Sequence, residues 1–140
     1  MYPYKELKTR NLWLVTDNTS KAINYVKELP EFNEAFIYYK SNDMFWDYYC
    51  SQRYIFFNLD EMKKDYLTFK LLHHWLNNHE YVEKTSMGKD VVIPSSNTRI
   101  FVSKYSPKEY IHLCIRGVIF TETKLRDQMT NEMVDVLKID

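Results

Sequence analysis

Short apolar runs alternate with segments of helical period along most of this chain, and that alternation narrows the fold to the α/β class. Residues 12–16 read as a buried strand. Asp17, Asn18, Thr19 and Ser20 follow, all competent helix caps, and Ala22, Ile23, Val26 and Leu29 then recur on one helical face until Pro30 ends it. Residues 35–39 (AFIYY) form a second strand, stopped by the turn-forming Ser41-Asn42-Asp43. Residues 53–61 (RYIFFNLDE) read as a third, central strand ending in two carboxylates. Leu67, Leu71, Leu72, Trp75 and Leu76 mark an amphipathic helix.

The second half continues the pattern. Residues 80–94 (EYVEKTSMGKDVVIP) predict a hairpin turning at Ser86-Met87-Gly88. Residues 99–105 (RIFVSKY) are another strand, and SPKEY opens a helix with Ser106 as cap and Pro107 at the first helical position. Leu125, Met129, Met133, Val136 and Leu137 predict a closing helix over about 123–138. The stretch MFWDYYC (44–50) fits no single period. No repeat or linker divides the chain, so the expectation is one domain over 1–140, with a mainly parallel sheet flanked by helices and one β-hairpin.

Bulk properties limit the function classes. The N-terminal MYPYKELKTR has no apolar stretch behind its charges, and no run is long enough for a membrane span, so an intracellular protein is expected. Cys50 and Cys114 lack CxxC spacing and read as reduced thiols. Net charge is zero, which argues against strongly electrostatic nucleic-acid binding. Within residues 84–116, however, Lys84, Lys89, Arg99, Lys104, Lys108 and Arg116 outnumber Asp90 and Glu109, giving a local excess of four positive charges. His73, His74 and His79 share one segment, but neighbouring helical residues point about 100° apart, so no common metal site is expected.

Three segments stand in an informative order: a strand and polar loop leading to Lys21 and a helix, a strand ending in Asp60-Glu61, and IFVSKYSPKEY. This order resembles the ATPase domain of superfamily 3 helicases, with the AAA+-like, P-loop NTPase-like fold, in the replication-initiator (Rep) proteins of small circular single-stranded DNA viruses. Their domain carries a phosphate loop, an acidic Walker B strand, a DNA-contacting hairpin and a sensor strand. The resemblance covers residues 12–116. FWDYY stands where those proteins have an aromatic WWDGY, EKTSMGKDVVI stands at the basic hairpin, and SPKEY matches TPxEW.

The resemblance implies a role for each matching residue. Ser20 and Lys21 would hold nucleotide phosphate, Asp60 would contact Mg²⁺ through water, and Glu61 would polarise the attacking water. Lys104 would take the sensor position, Arg116 would act as an arginine finger, and Lys84 and Lys89 would contact DNA. The departures are chemical. Laid on the phosphate-loop pattern, the chain reads Val15-x-x-x-x-Ser20-Lys21-Ala22. Glycines at the two loop positions let backbone amides curl around phosphate; here both positions carry a Cβ, and Ala22 has no hydroxyl for Mg²⁺. The whole chain has only two glycines, where average usage would give roughly ten. Lys104 replaces the sensor asparagine.

Three functional readings follow. The first is a degenerate helicase-like domain that binds single-stranded DNA weakly, or a protein partner, in replication of a virus or mobile element or in interference with it. It would need no cofactor and would be a monomer or dimer. The second is an active ATPase with an atypical loop, using ATP and Mg²⁺ through Lys21, Asp60, Glu61 and Arg116. The third is an aromatic-rich viral protein that inhibits a host factor. A Rep protein carries a nickase domain before its ATPase, so the first reading expects either a fragment or a small stand-alone protein.

Overall fold

The computed structural model describes residues 11–28, 35–38, 54–77, 80–94, 97–116 and 133–139. In chain order the elements are β1 (Asn11–Val15), α1 (Thr19–Lys27), β2 (Ala35–Tyr38), β3 (Tyr54–Asn58), a 3₁₀ turn (Leu59–Glu61), α2 (Tyr66–Leu76), β4 (Tyr81–Lys84), β5 (Asp90–Ile93), β6 (Thr98–Ser103), α3 (Pro107–Cys114) and β7 (Asp135–Lys138). Five strands form one sheet in the order β2-β3-β6-β1-β7, and every pairing within it is parallel. β4 and β5 form a separate antiparallel hairpin.

The strands read as apolar runs because both of their faces are covered. Trp13, Ile55, Phe57 and Phe101 face α2 and α3, packing with Phe69, Leu72, Trp75, Tyr110 and Ile111. Leu12, Leu14, Tyr54, Phe56, Ile100 and Val102 face α1, packing with Ala22 and Val26. The two-residue strand period assigns each side chain to its layer. Trp13, Phe101 and Phe57 lie side by side in register across β1, β6 and β3. Their rings stack at 5.9 and 5.0 Å, and Phe57 stacks on Trp75 of α2 at 4.3 Å. Part of the aromatic richness of this chain therefore fills this layer.

The helices begin where the sequence places them. Asn18 caps α1, Asp65 caps α2, and Ser106 caps α3 in a full capping box with Glu109 and Pro107 in the first turn. The hairpin turn contains Gly88 at φ 79°, the left-handed region where glycine carries no steric cost. No helix among the described residues is long and apolar enough to cross a membrane.

Two expectations need correction. The closing helix over 123–138 does not extend through its end: Asp135–Lys138 is β7, an edge strand paired in parallel with β1. β1 carries apolar residues for both faces and has an open side, and β7 supplies its ladder partner there. The middle of the sheet is also not the 53–61 strand. β6 holds that place, with all six residues buried, and β3 lies between it and β2. Pro30, the 44–50 stretch, Cys50, His79 and the rest of the closing segment before Met133 lie outside the described residues.

Candidate functional site at the carboxyl edge of the sheet

In a parallel sheet all strands end at the same edge, so the loops after β1, β3 and β6 open together. The chain leaves β1 toward β2 on the α1 face and leaves β6 toward β7 on the α3 face. These neighbouring strands therefore send their connections in opposite directions. The carboxyl ends of such a pair form the crevice where open α/β sheets bind ligands. The Lys21 segment, Asp60-Glu61 and Lys104 all stand at this edge, as the resemblance implies.

The loop after β1 is closed. Only Thr16, Asp17 and Asn18 connect β1 to α1. The Thr16 amide continues the ladder by donating to the Ser103 carbonyl at 2.9 Å. The Asn18 amide donates to Thr16 Oγ1 at 3.1 Å, and Asn18 Oδ1 accepts from the amides of Ser20 (3.0 Å) and Lys21 (3.4 Å). Asn18 thus occupies two amides that a phosphate loop would direct at its ligand. Ser20 and Lys21 are exposed, and Ala22 is buried against the sheet. Among the four cap candidates, Asn18 is the cap.

Asp60 is tied in place. One carboxylate oxygen accepts from Ser103 Oγ at 2.7 Å, the other from the Lys104 amide at 2.7 Å, and Lys64 Nζ lies 3.5 Å away. The acidic turn after β3 is thereby fastened to the end of β6. Tyr110 of α3 adds a second tie, donating from its hydroxyl to the Leu59 carbonyl at 2.9 Å. Asn58 reaches Thr19 Oγ1 at 3.4 Å across the β6 end. Glu61 is exposed beside these groups. Lys104 meets Asp60 through its backbone amide, while its ammonium lies 5.3 Å from the Tyr105 ring centre.

Arg116 is not brought to this edge. α3 starts beside the end of β6 and runs back along the sheet for eight residues, about 12 Å. Arg116 follows its far end and is exposed.

The hairpin changes the charge count. Lys84 pairs with Asp90 directly across the ladder, so its ammonium already has an anion. Lys89 is exposed. Arg99, counted as part of a basic surface, is fully buried. It donates to Asn97 Oδ1 at 2.9 Å, to the Trp75 carbonyl and to the Pro94 carbonyl at 3.4 Å. The local positive surface is therefore smaller than the sequence implies. Among the described residues no group of three or more His, Cys, Asp or Glu could hold a metal ion. The Cys114 thiol is pushed up to about 12, chiefly by burial and then by Asp65, so it stays protonated and unreactive.

Glu83 is the carboxyl most displaced among the described residues. It shares the inner face of the hairpin with Val91 and Ile93, and burial pushes its carboxyl up to about 7. A raised acid binds its proton more tightly when folded. Its contribution is thus fully present below about pH 4.5 and lost as pH rises through about 7. Thermal unfolding of wild type and Glu83→Gln between pH 4 and 8 checks this. The wild type should lose stability relative to the variant across that range, and parallel curves would refute the assignment.

Compared with known proteins, the chain matches no family model and no curated protein. Its functional reading therefore rests on the carboxyl edge itself.

Proposed function

We propose that this chain is a helicase-like α/β domain, P-loop NTPase-like and AAA+-like in architecture, that has lost nucleotide chemistry and acts by binding. The ligand class is single-stranded DNA or a protein partner, in replication of a virus or mobile element or in interference with it. The strand order supports the ancestry, because it gathers the Lys21 loop, the Asp60 turn and Lys104 at one edge. The observation that carries the loss of chemistry is the Asn18 cap, which takes the Ser20 and Lys21 amides into the helix start.

The residues at the edge do not suit a nucleotide with Mg²⁺. Phosphoryl transfer depends on preorganised amides, a lysine and a metal-holding hydroxyl. Here the amides are occupied, Ala22 offers no oxygen, and the Asp60 oxygens accept from Ser103 and Lys104. Lys21 and Glu61 remain exposed but face no organised phosphate cradle. Arg116 could reach a nucleotide only from a neighbouring subunit, as an arginine finger supplied in trans does.

The expected result is no ATP hydrolysis above background with Mg²⁺, and a monomer or dimer by light scattering whether or not ATP is added. Turnover that disappears in both Lys21→Ala and Glu61→Gln would overturn the reading. So would a ring-sized species that forms only with nucleotide.

A further inference from the structure

On the reading that this domain acts by binding, we infer that Tyr105, Lys104 and Lys108 form a stacking platform for single-stranded nucleic acid, apart from the hairpin. Tyr105 follows β6 and is only half-buried. With Lys108, Glu109, His112 and Leu113 it lines a groove of about 360 Å³ along the outer face of α3. The opposite face of this helix, Pro107, Tyr110, Ile111 and Cys114, is buried in the core, so the groove has a rigid floor. That volume suits a single base.

The surroundings of the ring select the ligand. Lys104 Nζ lies 5.3 Å and Lys64 Nζ 5.8 Å from the Tyr105 ring centre, and Lys108 lines the same groove. An aromatic face beside exposed ammonium groups matches the two parts of a nucleotide in a single strand, a flat base and an anionic phosphate. A loose ammonium contact on an exposed ring is weaker than base stacking. An incoming base therefore displaces the Lys104 ammonium from the ring, and the freed charge pairs with phosphate. Lys64 is held by Asp60 and also lies 5.4 Å from the Tyr110 ring, so it stays as a fixed positive neighbour. Glu109, the acidic residue lining the groove, is turned to Ser106, and its hydrogen bonds to the Ser106 hydroxyl and amide hold its carboxyl below the usual range. The carboxylate keeps its charge but is directed at the helix start, away from Lys104 and Lys108 as phosphate partners.

Backbone atoms hold Tyr105 in place: its carbonyl accepts from Trp13 Nε1 at 2.9 Å, and its amide donates to Ser103 Oγ at 3.0 Å. The side chain is thus replaceable without breaking either bond. The test is fluorescence anisotropy of short labelled oligothymidylate across a salt series, with oligouridylate in parallel to separate DNA from RNA as the strand. Tyr105→Ala should weaken binding about tenfold, and Tyr105→Trp should retain wild-type affinity. The exposed pair Lys104→Ala/Lys108→Ala should reduce the slope of log affinity against log salt by about 1.4, for two phosphate contacts. Lys27→Ala, an exposed cation at the end of α1, should change neither quantity.

Equal affinity of wild type and Tyr105→Ala overturns the platform, as does a tryptophan variant as weak as the alanine one. If Tyr105→Ala fails to fold, the surface lysine pair decides: an unchanged salt slope overturns the inference. Wild-type protein that binds neither strand also overturns it. The loss of nucleotide chemistry is judged separately by the hydrolysis assay.

Discussion

Replacing Arg99 by alanine should cost about 3–5 kcal/mol of folding stability, the largest loss expected from any polar side chain described here. Arg99 sits in β6 with no exposed surface and satisfies acceptors from three directions. One of these is the Trp75 carbonyl in the last turn of α2, which also accepts from the Asn77 amide at the helix end. Asn11 likewise donates to the Leu76 carbonyl at 2.8 Å and also holds the Met133 carbonyl at 2.7 Å. Arg99→Ala would remove the cation, open a cavity and take one donor from each of these buried acceptors. Arg99→Met separates these effects, since it fills much of the volume but donates nothing. Urea unfolding with an unchanged slope should place it between alanine and wild type. A loss below about 1 kcal/mol for Arg99→Ala would mean that these acceptors find other donors.

Asp60→Ala should cost about 2–4 kcal/mol, because hydrogen bonds to a charged group contribute about 1.5–3 kcal/mol each and two are lost together. The Ser103 hydroxyl and the Lys104 amide would be released, along with the Lys64 pairing. Exposure of the site to water offsets part of the loss, which sets the lower bound. Asp60→Asn keeps an oxygen for one donor and should fall midway. This prediction separates two roles of one carboxylate. A residue kept for metal chemistry can be removed with little effect on unfolding, whereas a fastener cannot. A fully stable Asp60→Ala protein would contradict the tie.

The elements were legible wherever burial imposes a clear period. Residues 12–15 and 54–57 are apolar throughout because helices cover both faces, and SPKEY announces its own cap. β7 was not legible. Val136 and Leu137 continue the spacing of Leu125, Met129 and Met133, and a four-residue edge strand is too short to contradict a helix. What decides it is the open side of β1, a tertiary fact. Arg99 was misread for a related reason: charge counting assumes that a cation is solvated, and only the fold brings Trp75 and Pro94 around it. The Lys84–Asp90 pairing was within reach, since the hairpin turn fixes the register. At the carboxyl edge, the sequence supplied the order of segments and the four cap candidates. It could not say which side chain captures which amide, and that assignment by Asn18 and Asp60 carries the functional argument.

The sheet order also has a consequence in time. β1 pairs with β6 and β7, so Asn11 meets Arg99 and Leu12 meets Asp135. Chains grow at about 5–20 residues per second, so β1 waits roughly 4–18 s for its first ladder partner during synthesis. Until then its apolar face and unpaired amides have no native place to go. Among the described strands β1 goes longest without a ladder partner, and the length of that exposure depends on how quickly the later residues follow.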